Sequence, residues 1–257
     1  MACLKPSTFG LVMNHTTPVE PIIEVVATSL DSCMAAAAGG AKRIELCAAL
    51  STAGITPNSA LLRAVKQAVD LPVAVMIRPR EGDFIYNSAE VALMEAEMEM
   101  CREAGADAFV LGVLDRQGEV DQKLLAHFIR RANGLPLVFH RAFDLTPDLG
   151  TSLEILIDNG CVRVLTSGGA ATGNAGKHAL FALAEQAFGR IEVMPGGGLR
   201  EESFEEELHP LIHQYHLSGR AEVRSPFQAA LFDMNRMETQ ADIIARVVKK
   251  VETYFNR

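Results

Sequence analysis

A strand-like apolar run in the middle of the chain ends in three residues that can do chemistry. The stretch LPLVFHRAFD, residues 135–144, passes from apolar side chains to His140, Arg141 and Asp144. An imidazole can exchange protons near neutral pH, and a guanidinium can hold an anion. Arg141 is one residue out of phase with His140, so we expect it to reach into the wall or the loops. These residues predict a site if other strand ends carry similar groups.

Polar groups do recur late in other strand-like runs. The candidate catalytic residues are Glu24, Glu45, Arg78, His140, Asp144 and His216. We expect His140 and Glu45 to transfer protons and Arg78 to stabilise developing negative charge. Taken singly, a buried acid often pairs with an arginine, and a histidine at a strand end is more often structural. A packed core does not need so many charges at one end, so their convergence predicts a site.

Glycines and hydroxyls near the ends of the last three strand-like runs predict an anion site. Backbone amides of a glycine-rich turn can approach an anion closely because glycine has no Cβ. The candidate anion-binding residues are Thr166, Ser167, Gly196, Gly197, Gly198, Ser218 and Arg220. The alternative is that the three glycines form only a tight turn, although three exceed what a turn requires.

Eight strand-length apolar runs, alternating with helical patterns, are positioned to hold these groups. The runs are 22–27, 43–47, 73–79, 108–112, 137–141, 162–168, 191–198 and 214–220. This alternation predicts an α/β fold, a single (β/α)8 TIM barrel, in which the carboxyl ends of the strands form one functional mouth. We assign residues 22–257 to the barrel and residues 1–21 to a loose N-terminal extension. The first βα turn lacks G-x-G-x-x-G, so no nucleotide cofactor is expected.

Two helices can be placed in more detail. Ser88 is the expected cap of a helix that Gly105 ends. Near the carboxyl terminus, Ile243, Val247 and Val251 fall on one helical stripe.

Composition limits the partners and the compartment. The formal net charge of −8 argues against nucleic acid or an acidic membrane as a partner. No apolar run approaches the length of a membrane helix. The five cysteines are odd in number and form no C-x-x-C pair, which favours a reducing compartment and a cytoplasmic location. A homo-oligomer is compatible with the sequence.

Several motifs resemble those of the CutC family, which is associated with copper homeostasis and folds as a TIM barrel. The matching segments are RIELC at 43–47, GITP at 54–57, IRPREGDFIY at 77–86, FHRAFD at 139–144, RVLTSG at 163–168 and MPGGG at 194–198. Members often pair the cysteine of RIELC with a second one late in the first strand, where this chain has Val26. Glu81 also stands where the family more often has glycine.

The resemblance and the residues favour different functions. The resemblance implies a cytosolic copper-homeostasis protein in which Cys47 contributes to Cu(I) binding. The residues at the strand ends indicate an isomerase- or lyase-type enzyme that acts on a small phosphorylated or carboxylated molecule. The expected ligand is therefore copper(I) or a small anion. No lysine stands at these strand ends, which disfavours a Schiff-base aldolase.

Overall fold

The computed structural model of the chain describes residues 20–205, 208–227 and 234–256. The expected N-terminal extension, residues 1–21, lies almost wholly outside these ranges. None of the helices in the described ranges is both long and apolar enough to span a membrane.

Eight parallel strands form the central sheet, and its strand order is β7-β6-β5-β4-β3-β2-β1-β8. Because β8 also lies beside β7, the two ends of the sheet meet and the predicted (β/α)8 barrel is confirmed. The strands are β1 Ile22–Ala27, β2 Arg43–Leu46, β3 Val73–Met76, β4 Ala108–Leu111, β5 Leu137–Phe139, β6 Arg163–Thr166, β7 Glu192–Pro195 and β8 Gln214–Leu217.

Helices follow the first six strands and pack around the barrel. They are α1 Leu30–Ala38, α2 Ser59–Ala68, α3 Ser88–Glu103, α4 Gln122–Arg131, α5 Leu149–Asn159, α6 Lys177–Ala187 and, after β8, α7 Ala241–Phe255. Short 3-10 segments stand at Leu50–Thr52, Arg141–Leu145 and Glu201–Phe204.

The cap predicted for α3 is wrong by one residue. Asn87 caps the helix, and the side chain of Glu90 returns to the Asn87 backbone N–H. An amide oxygen followed three residues later by a glutamate completes a capping box, so Ser88 is left as the first helical residue. Gly105, just after the helix, has φ +96°, which is the left-handed conformation expected at this position.

A short antiparallel hairpin follows β8 and was not predicted. Its strands are β9 Arg220–Val223 and β10 Arg236–Thr239, with Thr239 opposite Arg220. The Thr239 hydroxyl donates to the Ser218 carbonyl at 3.0 Å, which fixes the hairpin to the end of β8.

The helix α7 completes the outer core. Its buried residues are Ile244, Val247 and Val251, so Ile244 replaces the predicted Ile243 on the buried stripe.

Two apolar clusters lie on opposite sides of the barrel wall. The larger one fills the space between the sheet and the helices. The smaller one lies inside the barrel and contains Val26, Cys47, Ala74, Met76, Ala108, Val110 and Val138. The first five strands supply these inner residues, whereas the interior near β6, β7 and β8 is largely polar.

Candidate functional site

A cavity of about 640 Å³ opens at the carboxyl ends of the strands. Its volume lies in the range of small-molecule sites. Predicted site residues that line it are Glu45, His140, Asp144, Gly197, Gly198, His216, Ser218 and Arg220. The predicted residues that do not line it are Glu24, Cys47, Arg78, Thr166, Ser167 and Gly196.

Glu45 is a buried carboxyl group in the wall of this cavity. Burial is the largest influence on it and raises its pKa to about 7, although the positive charge of His216 opposes the rise. Its Oε2 has no hydrogen-bond partner among the described residues. A carboxyl group with this pKa changes protonation state near neutral pH, which suits it to both accept and donate a proton.

Glu24 lies deeper than Glu45 and is held by two neighbouring strands. Arg43 on β2 donates from Nε to Glu24 Oε2, and Glu24 Oε1 lies 2.8 Å from His216 Nδ1 on β8. Strand register explains both contacts, because Glu24 stands opposite Arg43 on one side and His216 on the other. Burial opposes ionisation, yet Arg43 and His216 together hold the pKa of Glu24 well below its usual range.

His216 interacts with both Glu24 and Glu45. Burial favours the neutral ring, but the charge of Glu45 and the hydrogen bond that His216 donates to Glu24 outweigh it and raise the His216 pKa. Because Nδ1 faces Glu24, the Nε2 edge remains for the cavity. Glu24 therefore orients the imidazole and does not itself reach a ligand.

His140 is a neutral donor on the opposite side of the barrel. Its Nδ1 accepts the Ala142 backbone N–H at 3.1 Å, so the proton of the neutral ring is on Nε2. Burial and the nearby Arg78 lower the pKa of His140 to about 3. Nε2 has no partner among the described residues. Gly112 makes room for the ring, since an added Cβ there would lie 2.4 Å from His140 Cε1.

Arg78 does not occupy the place predicted for it. Its Nη1 donates to the carbonyls of Thr52 and Gly54 at 2.8 and 2.9 Å, and its Nη2 donates to Gly82 at 2.7 Å. Both terminal nitrogens thus join the loops that follow β2 and β3. We assign Arg78 to loop positioning instead of charge stabilisation in the cavity.

Asp144 is surrounded by donors from the end of β6, from the loop that follows it and from Arg141. It accepts from the backbone N–H groups of Ser167 and Gly169 at 3.0 and 3.1 Å, from the Thr166 hydroxyl, and from Arg141 Nε at 2.8 Å. Burial opposes ionisation, but these bonds lower the pKa of Asp144. A carboxylate with so many donors is a poor proton acceptor, so Asp144, Thr166 and Ser167 form a support for Arg141 and the loop.

Arg141 lines the cavity, although strand phase alone indicated the wall or the loops. Its Nη2 donates to Ser167 Oγ at 2.8 Å, and its Nη1 lies 3.0 Å from the point where a Cβ on Gly197 would stand. The contact with Gly197 forms because the loops after β5 and β7 lie close together in space. No local sequence pattern predicts that proximity.

The three glycines after β7 have separate roles. Gly196 donates its N–H to the Thr166 carbonyl at 2.9 Å and therefore continues the sheet. Gly197 and Gly198 line the cavity with φ +83° and +75°, where glycine is favoured. The Gly197 carbonyl accepts from Gly173 at 2.9 Å, and because a trans peptide directs N–H and C=O to opposite sides, the Gly198 amide points away from Gly173.

Cys47 is enclosed in the inner apolar cluster. Its side chain is wholly buried and does not line the cavity, and burial raises the pKa of the thiol well above its usual range. The thiolate is the form that binds metals, so this environment weakens Cys47 as a ligand.

Among the described residues, Glu24, Glu45 and His216 form a group that could hold a metal ion, with one ligand atom from each within 4.8 Å of the others. The donors are two carboxylates and an imidazole, whereas Cu(I) prefers sulfur. Both oxygens of Glu24 are already engaged, and the adjacent guanidinium of Arg43 repels a cation. The group therefore fits copper(I) poorly.

The fold and the cavity define a (β/α)8-barrel protein with its candidate site at the carboxyl ends of the strands. The sequence profile of the CutC family matches residues 21–221. The chain belongs to the CutC family.

Relatives and solved structures agree with this assignment. A protein named CutC from Xanthomonas axonopodis pv. citri is 43% identical, covering 79% of this chain and 87% of that protein. The human copper homeostasis protein cutC homolog is 42% identical, covering 78% of this chain and 74% of that protein. A crystal structure of CutC from Streptococcus agalactiae superposes with a TM-score of 0.72 at 32% identity, covering 77% of this chain and 98% of that one.

A more distant structure shares only the fold. Thiamine phosphate pyrophosphorylase from Pyrococcus furiosus has a TM-score of 0.57 at 15% identity and covers 91% of this chain and 96% of its own.

Proposed function

We propose that the cavity binds a small carboxylated or phosphorylated molecule and that Glu45 moves a proton on or off it, as an isomerase or a lyase does. The observation that carries this proposal is Glu45 itself. It is a buried carboxyl group in a cavity wall, its Oε2 accepts no hydrogen bond from any described residue, and its pKa is raised to about 7. Such a group is costly to bury and is typical of sites that transfer protons.

His140 supplies the complementary group. The neutral ring has a proton on Nε2, which can donate to a carbonyl oxygen of the ligand that becomes negative when the carbon next to that carbonyl loses a proton. His216, oriented by Glu24, can donate from Nε2 on the side of Glu45. Among the described residues that line the cavity there is no lysine, which disfavours a Schiff-base route.

Solvent exchange tests the proton transfer directly. The protein is incubated in D2O with small carboxylic and phosphorylated acids that carry a C–H beside a carbonyl, and proton NMR follows loss of the C–H signal. We expect exchange with the wild type and loss of exchange in Glu45→Gln. Glu97→Gln is the matched control, because Glu97 is part-buried with a raised pKa, accepts from Thr56 and does not line the cavity. Equal loss in both variants would contradict the role of Glu45.

Copper(I) binding in a reducing, cytoplasmic setting is the second candidate. It is supported by the names of the relatives and by the presence of two sulfur-containing side chains in the same part of the barrel interior. Cys47 and Met76 belong to the same inner cluster, and both side chains approach Gly54. A thiolate and a thioether are soft ligands that Cu(I) accepts. The four cysteines of the described residues are free and buried, as a reducing compartment allows.

A further inference from the structure

Two arginines reach the cavity from different parts of the barrel rim. Arg141 follows β5, and Arg220 follows β8, which pairs with β1. Around the barrel, the two strands β6 and β7 lie between β5 and β8. The cavity therefore has two cationic regions. They differ in the acidic groups that pair with each arginine.

The first region consists of Arg141, Gly197 and Gly198. Asp144 and Ser167 hold Arg141 Nε and Nη2, and no described residue accepts from Nη1, which lies beside Gly197. The carbonyls of Gly196 and Gly197 pack against Gly173, so the amides of Gly197 and Gly198 face the other way. Two backbone amides and one guanidinium nitrogen suit a phosphate or a carboxylate.

The second region is Arg220. Among the described residues, its buried Nε has no hydrogen-bond partner, and no carboxylate forms an ion pair with its guanidinium. Arg220 lines the cavity beyond the end of β8, and its charge opposes the rise in the pKa of Cys47 that burial and Glu45 cause. The hairpin holds its backbone opposite Thr239, which bonds to Ser218. A part-buried arginine that pairs with no described carboxylate is expected to receive a counter-ion from a ligand.

The geometry points to a ligand with two separated anionic groups, such as a dicarboxylate or a phosphorylated carboxylic acid. One group binds at Arg141, Gly197 and Gly198, and the other binds at Arg220. Glu45 and His140 then stand beside the atoms between the two groups. This inference rests on the proposed function and makes it narrower.

Matched pairs of ligands test the inference. Isothermal titration calorimetry compares 3-phosphoglycerate with glycerol 3-phosphate, and succinate with butyrate, at constant pH and ionic strength. Each pair differs by one anionic group. We expect the doubly anionic member to bind at least about tenfold more tightly, which is the effect of one charge-assisted hydrogen bond.

Variants locate the second anionic group. Arg220→Gln is expected to remove the tenfold advantage of the doubly anionic ligand, because it removes the charge that binds the second anionic group. Arg63→Gln removes the same charge from an exposed position on α2 and should preserve the advantage. If single and double anions bind equally, or if Arg220→Gln weakens both equally, the inference is overturned while the proposed anion pocket stands. If no member of either pair binds, both the inference and the proposed function are overturned.

Discussion

Glu24 Oε1 lies 2.8 Å from His216 Nδ1 between two adjacent parallel strands, and Arg43 binds the other oxygen of the same carboxylate. This buried arrangement leaves only the Nε2 edge of His216 available to a ligand. It also connects the stability of the barrel to the geometry of the cavity wall, because the same carboxylate serves both.

Removal of the Glu24 charge should destabilise the protein strongly. Glu24→Gln leaves Arg43 buried without its counter-ion, so the free energy of unfolding should fall by about 3–5 kcal/mol. Urea unfolding monitored by circular dichroism measures the change. The control is Glu154→Gln, which breaks an exposed pair with Arg190 and should have little effect. Similar losses in the two variants would mean that the buried pair adds no special stability.

Acid should weaken the same interaction. The pKa of Glu24 is lowered from an unfolded value of 4.5, so its stabilising contribution is present above pH 4.5 and is lost as the pH falls toward the folded-state pKa. The gap in unfolding free energy between wild type and Glu24→Gln should therefore narrow below pH 4.5. A gap that stays constant down to pH 3 would show that Glu24 is not ionised in the folded protein.

Anion binding should depend on pH through Glu45. A negative ligand near this carboxyl group favours its protonated form, so binding takes up a proton and affinity should fall as the pH rises through about 7. Calorimetry with succinate in two buffers of different ionisation enthalpy measures the proton uptake. Glu45→Gln should bind with no uptake near pH 7. If the variant retains the same uptake, the titrating group is another residue.

The contact between Gly197 and Arg141 should be detectable by adding one methyl group. Gly197→Ala places a Cβ 3.0 Å from the guanidinium at φ +83°, so it should both strain the backbone and displace Arg141. Gly160→Ala has a similar φ of +84° with no atom within 4 Å of the new Cβ, and strain alone should cost it about 1–2 kcal/mol. We expect phosphate affinity to fall only in Gly197→Ala. Unchanged affinity would remove Arg141 from the anion site.

Arg78 should matter for stability more than for ligand binding. Arg78→Met leaves three loop carbonyls without their donor and should lower the free energy of unfolding by at least about 2 kcal/mol. Thermal unfolding and succinate titration of the same variant separate the two effects. A stable variant that has lost succinate binding would return Arg78 to the ligand site.

Copper(I) should bind with limited stoichiometry and affinity. With Cys47 and Met76 as the soft donors, reduced protein should take up at most about one Cu(I) per chain, and Cys47→Ser should weaken the uptake. Competition with a strong Cu(I) chelator measures this. Cys33→Ser is the control, since Cys33 is equally buried on α1. Tight binding that survives Cys47→Ser would exclude Cys47 from the site.

The barrel could be predicted because its strands are short, largely apolar runs that alternate regularly with helical patterns along the chain. The hairpin could not, because RAEV and RMET each contain two charged residues and neither forms an apolar run. Strand alternation placed Glu45 and His140 correctly in the interior, since both stand in or directly after a strand.

The same reasoning failed for longer side chains and for residues in turns. Arg78 has the expected phase, but its guanidinium turns to carbonyls of loops whose path the sequence does not specify. Beyond His140 the chain enters a 3-10 turn, so strand phase no longer applies to Arg141 or Asp144. Their partners come from the ends of β6 and β7, which lie next to β5 in the sheet but are more than twenty residues away in the sequence.

The position of α7 has a consequence for the way this chain can be divided. The family profile ends at residue 221, yet Ile244, Val247 and Val251 are wholly buried in the outer core. The helix packs so closely that a Cβ on Gly39 would lie 2.6 Å from the Ala241 carbonyl. The limit of family similarity is thus not the limit of cooperative folding. A fragment that stops at residue 221 would expose an apolar seam along α1 and aggregate, whereas one that extends to Phe255 keeps the seam closed.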